Sequence, residues 1–93
     1  MNKNDHIEYW RQLAISDFDT AVYNVAGKMH VPALFFFHLC IEKALKANWV
    51  KDNMTFTPPF THDLQKIASE TDIEWTAENF DYLSVINTWN IEY

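Results

Sequence analysis

Hydrophobic and polar positions recur with the period of an α-helix along most of this chain. Between residues 7 and 25 the apolar residues follow one another at three- and four-residue spacings, and polar residues occupy the opposite face. The pattern predicts a long amphipathic first helix. Asp5, with Glu8 three residues later, is expected to cap its start, and Gly27, the only glycine, is expected to cap its end.

A second helix is predicted from Pro32 to about Lys51, and it is apolar on almost every side. Proline suits the first turn of a helix, and the link after the first helix is so short that the two helices are expected to lie antiparallel. A helix this apolar is expected to be buried. His38, Glu42 and Lys46 nevertheless follow one another at four-residue steps, so that their side chains form one polar stripe.

The residues after the second helix predict a loop and two shorter helices. The loop spans residues 52–61 and contains Pro58-Pro59, and Phe56 and Phe60 are expected to tether it to the core. Thr61 is expected to cap a third helix that runs to about residue 70, and a fourth helix follows a threonine cap at position 76. The sequence therefore predicts an all-α fold, an up-and-down antiparallel helical bundle of about four helices, in a single domain over residues 1–93.

The formal net charge of −6 comes entirely from the second half of the chain. Residues 1–50 contain five basic and five acidic residues, whereas residues 51–93 contain two lysines and eight acidic residues. A chain with this charge lacks the basic surface of a nonspecific nucleic-acid binder. A local basic patch stays open as an interpretation around Lys43, Lys46 and Lys51.

The hydrophobic content of 48% and the aromatic content of 16% are high for 93 residues. This surplus predicts either a densely packed bundle or an apolar face shared with a second subunit. No apolar run is long enough to span a membrane and the first residues contain no signal-peptide core, so we expect a cytoplasmic protein without membrane contact. The only cysteine, Cys40, has apolar neighbours that predict a buried, unreactive thiol.

Three segments of the chain carry characteristic residues in a fixed order. The first helix is rich in aromatic residues, beginning with Tyr9-Trp10. The second helix carries an aromatic-His-x-x-x-Glu-Lys-x-x-Lys pattern over residues 37–46, and a Thr-His-Asp-Leu turn follows at residues 61–64. In this combination the chain resembles the HEPN (higher eukaryotes and prokaryotes nucleotide-binding) domain family. The resemblance runs through most of the chain, and it implies a helical bundle that is commonly dimeric.

The resemblance also implies a range of functions. Members often act beside a small nucleotidyltransferase, sometimes as a toxin–antitoxin pair, and many others are ribonucleases. The ribonucleases resemble one another in an Arg followed after four to six residues by a His, but the only arginine here is Arg11, and no histidine follows it at that spacing. We therefore expect a noncatalytic module without a cofactor, which forms a homodimer and binds a nucleotide or RNA, or pairs with a nucleotidyltransferase.

The C-terminal residues depart from the family pattern in a second way. In relatives the fourth helix leads into an Arg-Tyr-Pro element and a further helix. Residues 90–93 stand where that element would begin, so the resemblance implies a member that is truncated at its C-terminus.

The candidate contact residues lie in the segments that carry the resemblance, and they are His38, Glu42, Lys43, Lys46, His62 and Asp63. Two interpretations of the polar stripe are open. In one, it binds a phosphate or nucleotide, with Lys46 supplying the charge and His38 a donor or a stacking surface. In the other, the stripe satisfies its own polar groups inside the bundle.

His62 and Asp63 have two interpretations as well. In the first, His62 lies near His38 across the bundle and acts as a base or a ligand that Asp63 orients. In the second, Thr61 and Asp63 cap the third helix. The first interpretation leads to an alternative function, a ribonuclease that uses His38 and His62 in place of the Arg–His pair. No metal site is expected, because the sequence has no His-Glu-x-x-His motif.

Overall fold

Four α-helices make up most of the chain in this computed structural model, which describes residues 2–90. They are α1 (Lys3–Ala26), α2 (His30–Asp52), α3 (Leu64–Ala68) and α4 (Ala77–Asn87). Residues 2–90 contain no strand, so the prediction of an all-α fold with four helices is confirmed. Residues 91–93, where the sequence predicts a truncated element, lie outside the described residues.

The helix α1 begins three residues earlier than the capping pattern predicts. Asn2 Oδ1 accepts a hydrogen bond from the Asp5 N–H at 2.9 Å, and Asp5 Oδ2 accepts one from the Asn2 N–H at 3.1 Å. A capping box is therefore present, but Asp5 is its third helical residue and not its cap. Glu8 instead forms an exposed ion pair with Arg11, with 3.5 Å between Oε2 and Nε.

The connection between α1 and α2 is a Schellman turn. Gly27 is the C-cap, as predicted, and the N–H groups of Lys28 and Met29 donate to the carbonyls of Val25 (3.0 Å) and Asn24 (2.8 Å). Gly27 has a φ of −84°, whereas Lys28 has a φ of 60°, the left-handed conformation that glycine favours. Gly27 thus lies one residue before Lys28, the position whose left-handed backbone conformation favours a glycine.

The helix α3 is shorter than predicted, and its cap is Asp63 and not Thr61. The Asp63 carboxylate accepts a hydrogen bond from the Gln65 N–H at 3.1 Å. Thr61 Oγ1 supports the preceding turn by accepting from the Asp63 N–H at 3.1 Å. The capping interpretation of this segment is therefore confirmed, with the helix start moved two residues along. In α4 the predicted threonine cap is confirmed, with Thr76 Oγ1 accepting from the Asn79 N–H at 3.0 Å.

The hydrophobic core lies between the C-terminal half of α2 and α3, and α4 packs against α3 and adds Leu83 to it. The buried side chains that form it are Leu45, Trp49, Val50, Leu64, Ile67, Ala68 and Leu83. Ile7 and Trp10 of α1 pack against its edge. We call this part of the molecule, the C-terminal half of α2 together with α3 and α4, the covered end.

The loop before α3 is not tethered as the sequence predicts. Phe60 is fully exposed, so its predicted role is wrong, and Phe56 is 37% exposed with its ring 5.1 Å from that of His6. Pro58 is the buried residue of this loop. A rigid proline thus provides the anchor, which frees the phenylalanine two residues later to point outward.

The other half of the α1–α2 hairpin has no helix packed over it. Between residues 18 and 37 the only buried residues are Ala21 and Ala33, whose small side chains allow the two helices to approach each other. We call residues 18–37 the uncovered end. Its exposed large apolar side chains are Phe18, Val22, Tyr23, Val25, Met29, Val31 and Leu34.

Candidate functional site

The polar stripe of α2 is buried, as its apolar surroundings predict. His38 is fully buried, Glu42 is 3% exposed and Lys46 is 7% exposed. The stripe faces the segment that enters α3, and this segment brings His62 against the middle of α2. A buried charge needs partners to offset its loss of hydration, so the contacts of the stripe decide what it can do.

Glu42 is the centre of this polar cluster. Its Oε2 lies 3.2 Å from Lys46 Nζ, and its Oε1 lies 2.7 Å from His62 Nδ1. One carboxylate oxygen therefore accepts from a residue one turn along the same helix, and the other contacts the loop before α3. Glu42 joins two elements that are 20 residues apart in sequence.

His38 is held by the backbone of the same loop. Its Nε2 lies 3.2 Å from the His62 carbonyl oxygen, and because a carbonyl only accepts, Nε2 carries a proton. Nδ1 is also buried and makes no hydrogen bond of acceptable geometry within residues 2–90. The nearby Asn87 uses its Oδ1 to accept from the Leu64 N–H at 3.0 Å. His38 is thus a structural link between α2 and the loop.

Burial lowers the pKa of His38 below its ordinary value of 6.5. Desolvation is the largest cause, because an imidazolium in the bundle interior loses its hydration. The negative charge of Glu42 and the hydrogen bond to the His62 carbonyl act in the opposite direction and only partly offset it. The neutral form is therefore the one that the fold accommodates.

Lys46 lies between the cluster and a small cavity. Its ammonium nitrogen is 5.2 Å from the centre of the Trp10 ring, a cation–π distance, in addition to its contact with Glu42. The cavity, of about 60 Å³, is lined by Lys46, Phe60, Thr61 and His62. A nearly buried cation thus borders a space that opens beside an exposed aromatic ring.

Two of the predicted contact residues lie outside this cluster. Lys43 Nζ pairs with Asp17 Oδ2 at 2.6 Å, a partly buried ion pair that joins α2 to α1. Asp63 is occupied by the cap of α3 and by a hydrogen bond from Asn87 Nδ2 at 3.0 Å. His62 Nδ1 lies 2.7 Å from Glu42 Oε1, so Glu42 is a second carboxylate that can orient this ring, and the predicted role of Asp63 stays a prediction.

The sequence reasoning missed three contributors to the site, namely Trp10, Phe60 and Thr61. Trp10 lies on α1, and no periodicity within α2 indicates that its ring would face Lys46. Phe60 and Thr61 directly precede His62, so their closeness to the Thr-His-Asp-Leu turn is the signal that points to them. The prediction that Phe60 tethers the loop to the core led away from that signal.

Two further features, a metal site and a membrane-spanning helix, were looked for in the described part of the chain. Within residues 2–90, no three His, Cys, Asp or Glu side chains are grouped as a metal ion would need. None of the helices described combines the length and the apolarity that crossing a bilayer requires.

Comparison with protein families identifies the class of protein to which this chain belongs. The model of the HEPN domain matches residues 7–92, almost the whole chain. The chain therefore belongs to the HEPN domain family, as its sequence pattern predicts, and at the family level this supports a nucleotide- or RNA-related module. No curated protein and no solved structure matches the chain.

Proposed function

We propose that this chain is a noncatalytic HEPN module that binds a nucleotide through its phosphate at Lys46 and His62. The observation that carries the proposal is the position of the Lys46 ammonium, whose side chain is 9% exposed yet borders a cavity. A lysine held in this way has lost most of its freedom to move. It therefore offers a fixed positive charge to an anion at little further cost in entropy.

The donor capacity of Lys46 supports the same function. An ammonium group has three N–H donors. Within residues 2–90 its contacts are one hydrogen bond to Glu42 and the face of the Trp10 ring. Glu42 offsets the buried charge, and capacity is left for an oxygen of a phosphate in the cavity. His62 contributes an imidazole at the rim, where its side chain is 47% exposed.

The burial of His38 argues for a binding role over the ribonuclease alternative. A general base must reach the proton that it abstracts, directly or through one water molecule. His38 is fully buried, and its Nε2 is engaged by the His62 carbonyl. His62 is 47% exposed, but the fully buried His38 does not reach a bound substrate to share acid and base roles with it.

Calorimetric titration with AMP and with inorganic phosphate tests the proposal. His62→Ala and Thr61→Val are expected to weaken AMP binding about tenfold or more, since each removes a group that lines the cavity. Lys66→Ala, which removes an exposed lysine of α3, is the control and is expected to bind AMP as the wild type does. Absence of both AMP and phosphate binding by the wild-type protein would refute the proposal.

The exposed apolar face of α1 supports a homodimer. Ile15, Phe18, Val22 and Val25 follow one another along a single face of α1, each between 43% and 49% exposed. We call these four residues the α1 apolar stripe. Two of its residues, Ile15 and Phe18, line a groove of about 500 Å³ between α1 and α2, which Cys40 and Ala44 also line. Cys40 is therefore only partly buried, and desolvation raises the pKa of its thiol.

A second copy of this chain is the occupant that the charges favour. The acidic excess of the chain lies in residues 51–93, whereas residues 1–50 are balanced, so two copies of the α1 apolar stripe meet without strong repulsion. Sedimentation velocity is expected to show a dimer that Val22→Glu converts to a monomer. Val85→Glu, at a similarly exposed valine of α4, is expected to leave the dimer intact. A monomeric wild-type protein at micromolar concentration would contradict this part.

A small nucleotidyltransferase is the proposed protein partner, in a toxin–antitoxin or accessory role. The resemblance of the chain to HEPN modules that act beside such enzymes supports it, together with the acidic surface of residues 51–93. Co-expression with a small nucleotidyltransferase from the same genome tests it. A complex that survives size-exclusion chromatography is expected, and its absence at micromolar concentration would remove the partner from the proposal.

A further inference from the structure

Phe60 exposes its whole ring to solvent although it lies in an ordered loop. Its relative exposure is 105%, whereas Phe56 of the same loop is 37% exposed and packs beside His6. An exposed phenylalanine forgoes the free energy that its burial would provide. The position of this ring therefore calls for an explanation that the packing of the described residues does not supply.

The backbone around Phe60 is held in place on both sides. The Thr61 N–H donates to the Pro59 carbonyl at 2.9 Å, which closes a three-residue γ-turn with Phe60 at its apex. Pro58 is buried, and Thr61 Oγ1 accepts from the Asp63 N–H. The ring thus projects from a constrained turn, and a ligand that contacts it has little backbone freedom to restrict.

The nearest recess is the cavity beside Lys46. With a volume of about 60 Å³ it has room for a few water molecules or one phosphate group, and it is too small for a nucleobase. Lys46 and His62 supply a fixed ammonium and an imidazole at this recess, and Phe60 forms part of its wall. An anion-sized recess and an aromatic face therefore lie side by side.

This pairing matches the two chemically different parts of a phosphorylated nucleoside. Aromatic side chains bind nucleobases by stacking, with little dependence on which base is present. Phosphate groups bind to fixed cationic donors. A free phosphate would use only the recess, and an apolar molecule would use only the ring.

We infer that Phe60 stacks against the base of a phosphorylated nucleoside whose phosphate occupies the recess between Lys46, Thr61 and His62. The inference rests on the proposed function, and it adds the group that recognises the base. The ligand is either a free mononucleotide or the phosphorylated end of a single-stranded RNA, since both present a phosphate and an adjacent unpaired base.

Two ligands that differ only in the base test the inference by calorimetry. Wild-type protein is expected to bind AMP more tightly than ribose 5-phosphate. Phe60→Leu is expected to weaken AMP binding about tenfold and to leave ribose 5-phosphate binding unchanged. Phe56→Leu, in the same loop, is the matched control and is expected to bind both ligands as the wild type does.

The outcomes separate this inference from the proposed function. If Phe60→Leu binds AMP as tightly as the wild type, while Thr61→Val still weakens it, the stacking role is wrong and the phosphate site stands. If the wild-type protein binds neither AMP nor ribose 5-phosphate, both proposals fail. Because Phe60 is fully exposed, its replacement is expected to leave the unfolding midpoint unchanged, so a loss of binding would not reflect misfolding.

A 5′-phosphorylated single-stranded RNA oligomer distinguishes the two sources of ligand. Tighter binding of the oligomer than of AMP, lost in Phe60→Leu, assigns the site to an RNA end. Equal or tighter binding of AMP, lost in the same variant, assigns it to a free nucleotide. An oligomer and AMP that both bind Phe60→Leu as they bind the wild type would overturn the inference.

Discussion

The two ends of the α1–α2 hairpin have similarly apolar sequences, but the apolar side chains are buried at one end and exposed at the other. At the covered end, the side chains of α2 meet α3 and α4 and form the core around Val50, Leu64 and Ile67, each of which has no exposed surface. At the uncovered end, Phe18, Val22 and Val25 of α1 remain close to half exposed. The difference arises from where the short helices pack, since hydrophobicity by itself does not select one end.

The comparison shows where stability and recognition are placed in this molecule. The covered end provides the buried apolar surface that stabilises a single chain, and it holds the polar cluster in a fixed geometry. The uncovered end contributes little to the stability of one chain and retains apolar surface for another. A small domain with both features is expected to depend on association for part of its stability.

The largest contrast between the ends is expected from shortening a valine or isoleucine side chain. Ile67→Ala at the covered end is expected to reduce the free energy of unfolding by about 3 kcal/mol, because it leaves a cavity in a fully buried site. Val22→Ala at the uncovered end is expected to change it by about 0.5 kcal/mol or less. Urea unfolding in dilute solution measures both, and equal losses would show that the uncovered end is packed within one chain.

The next largest effect is expected at the polar cluster. Glu42→Gln is expected to reduce the free energy of unfolding by about 2 kcal/mol, because it leaves the buried Lys46 ammonium without a compensating charge. Glu8→Gln breaks the exposed Glu8–Arg11 pair and is expected to leave the unfolding midpoint unchanged. If the two variants unfold alike, the buried cluster does not contribute to stability as its contacts indicate.

The turn that joins α1 to α2, within the uncovered end, is expected to give a gain in stability when Lys28 is replaced. Lys28→Gly is expected to raise the free energy of unfolding by about 1 kcal/mol, since Lys28 has a φ of 60° that glycine adopts without strain. Gly27→Ala is expected to be nearly neutral, because the added Cβ meets the Tyr23 carbonyl oxygen at an ordinary 3.6 Å. Thermal unfolding of the two variants measures this, and destabilisation by Lys28→Gly would contradict the assigned turn geometry.

The smallest expected effect is a pH dependence of the free energy of unfolding, which arises at the covered end. Because burial lowers the pKa of His38, the unfolded chain binds a proton at this site more readily than the folded chain. The stability contributed by neutral His38 is fully present above its ordinary pKa of 6.5, and it is lost as the pH falls through the lower folded-state value. His38→Gln is therefore expected to unfold with a weaker pH dependence between about pH 7.5 and pH 5.

The control for this pH dependence is His30→Gln, at an exposed histidine of the uncovered end. As the pH is lowered, its free energy of unfolding is expected to decrease as that of the wild type does. Carboxylates also lose stabilising contacts in acid, so the informative quantity is the difference in slope between the two variants. An unchanged slope in His38→Gln would assign the pH dependence to other groups.

The sequence by itself determined the helices, the hairpin and the burial of the polar stripe. These features depend on residues within a few positions of one another, because the period of the helix places His38, Glu42 and Lys46 on one stripe whatever surrounds them. The same local logic found the cap of α4. It misplaced the cap of α1 by three residues, since Asn2 and Asp5 share a capping box in which either residue is a plausible cap.

The tertiary structure alone decided which partners these side chains have. Glu42 contacts His62 across 20 residues and Lys43 contacts Asp17 across 26, and nothing in the spacing of α2 selects either partner. The path of the loop before α3 also decided that Phe60 is exposed and that His38 is sealed from solvent. Local spacing fixes which face of a helix a residue occupies, whereas contacts between elements depend on how those elements pack.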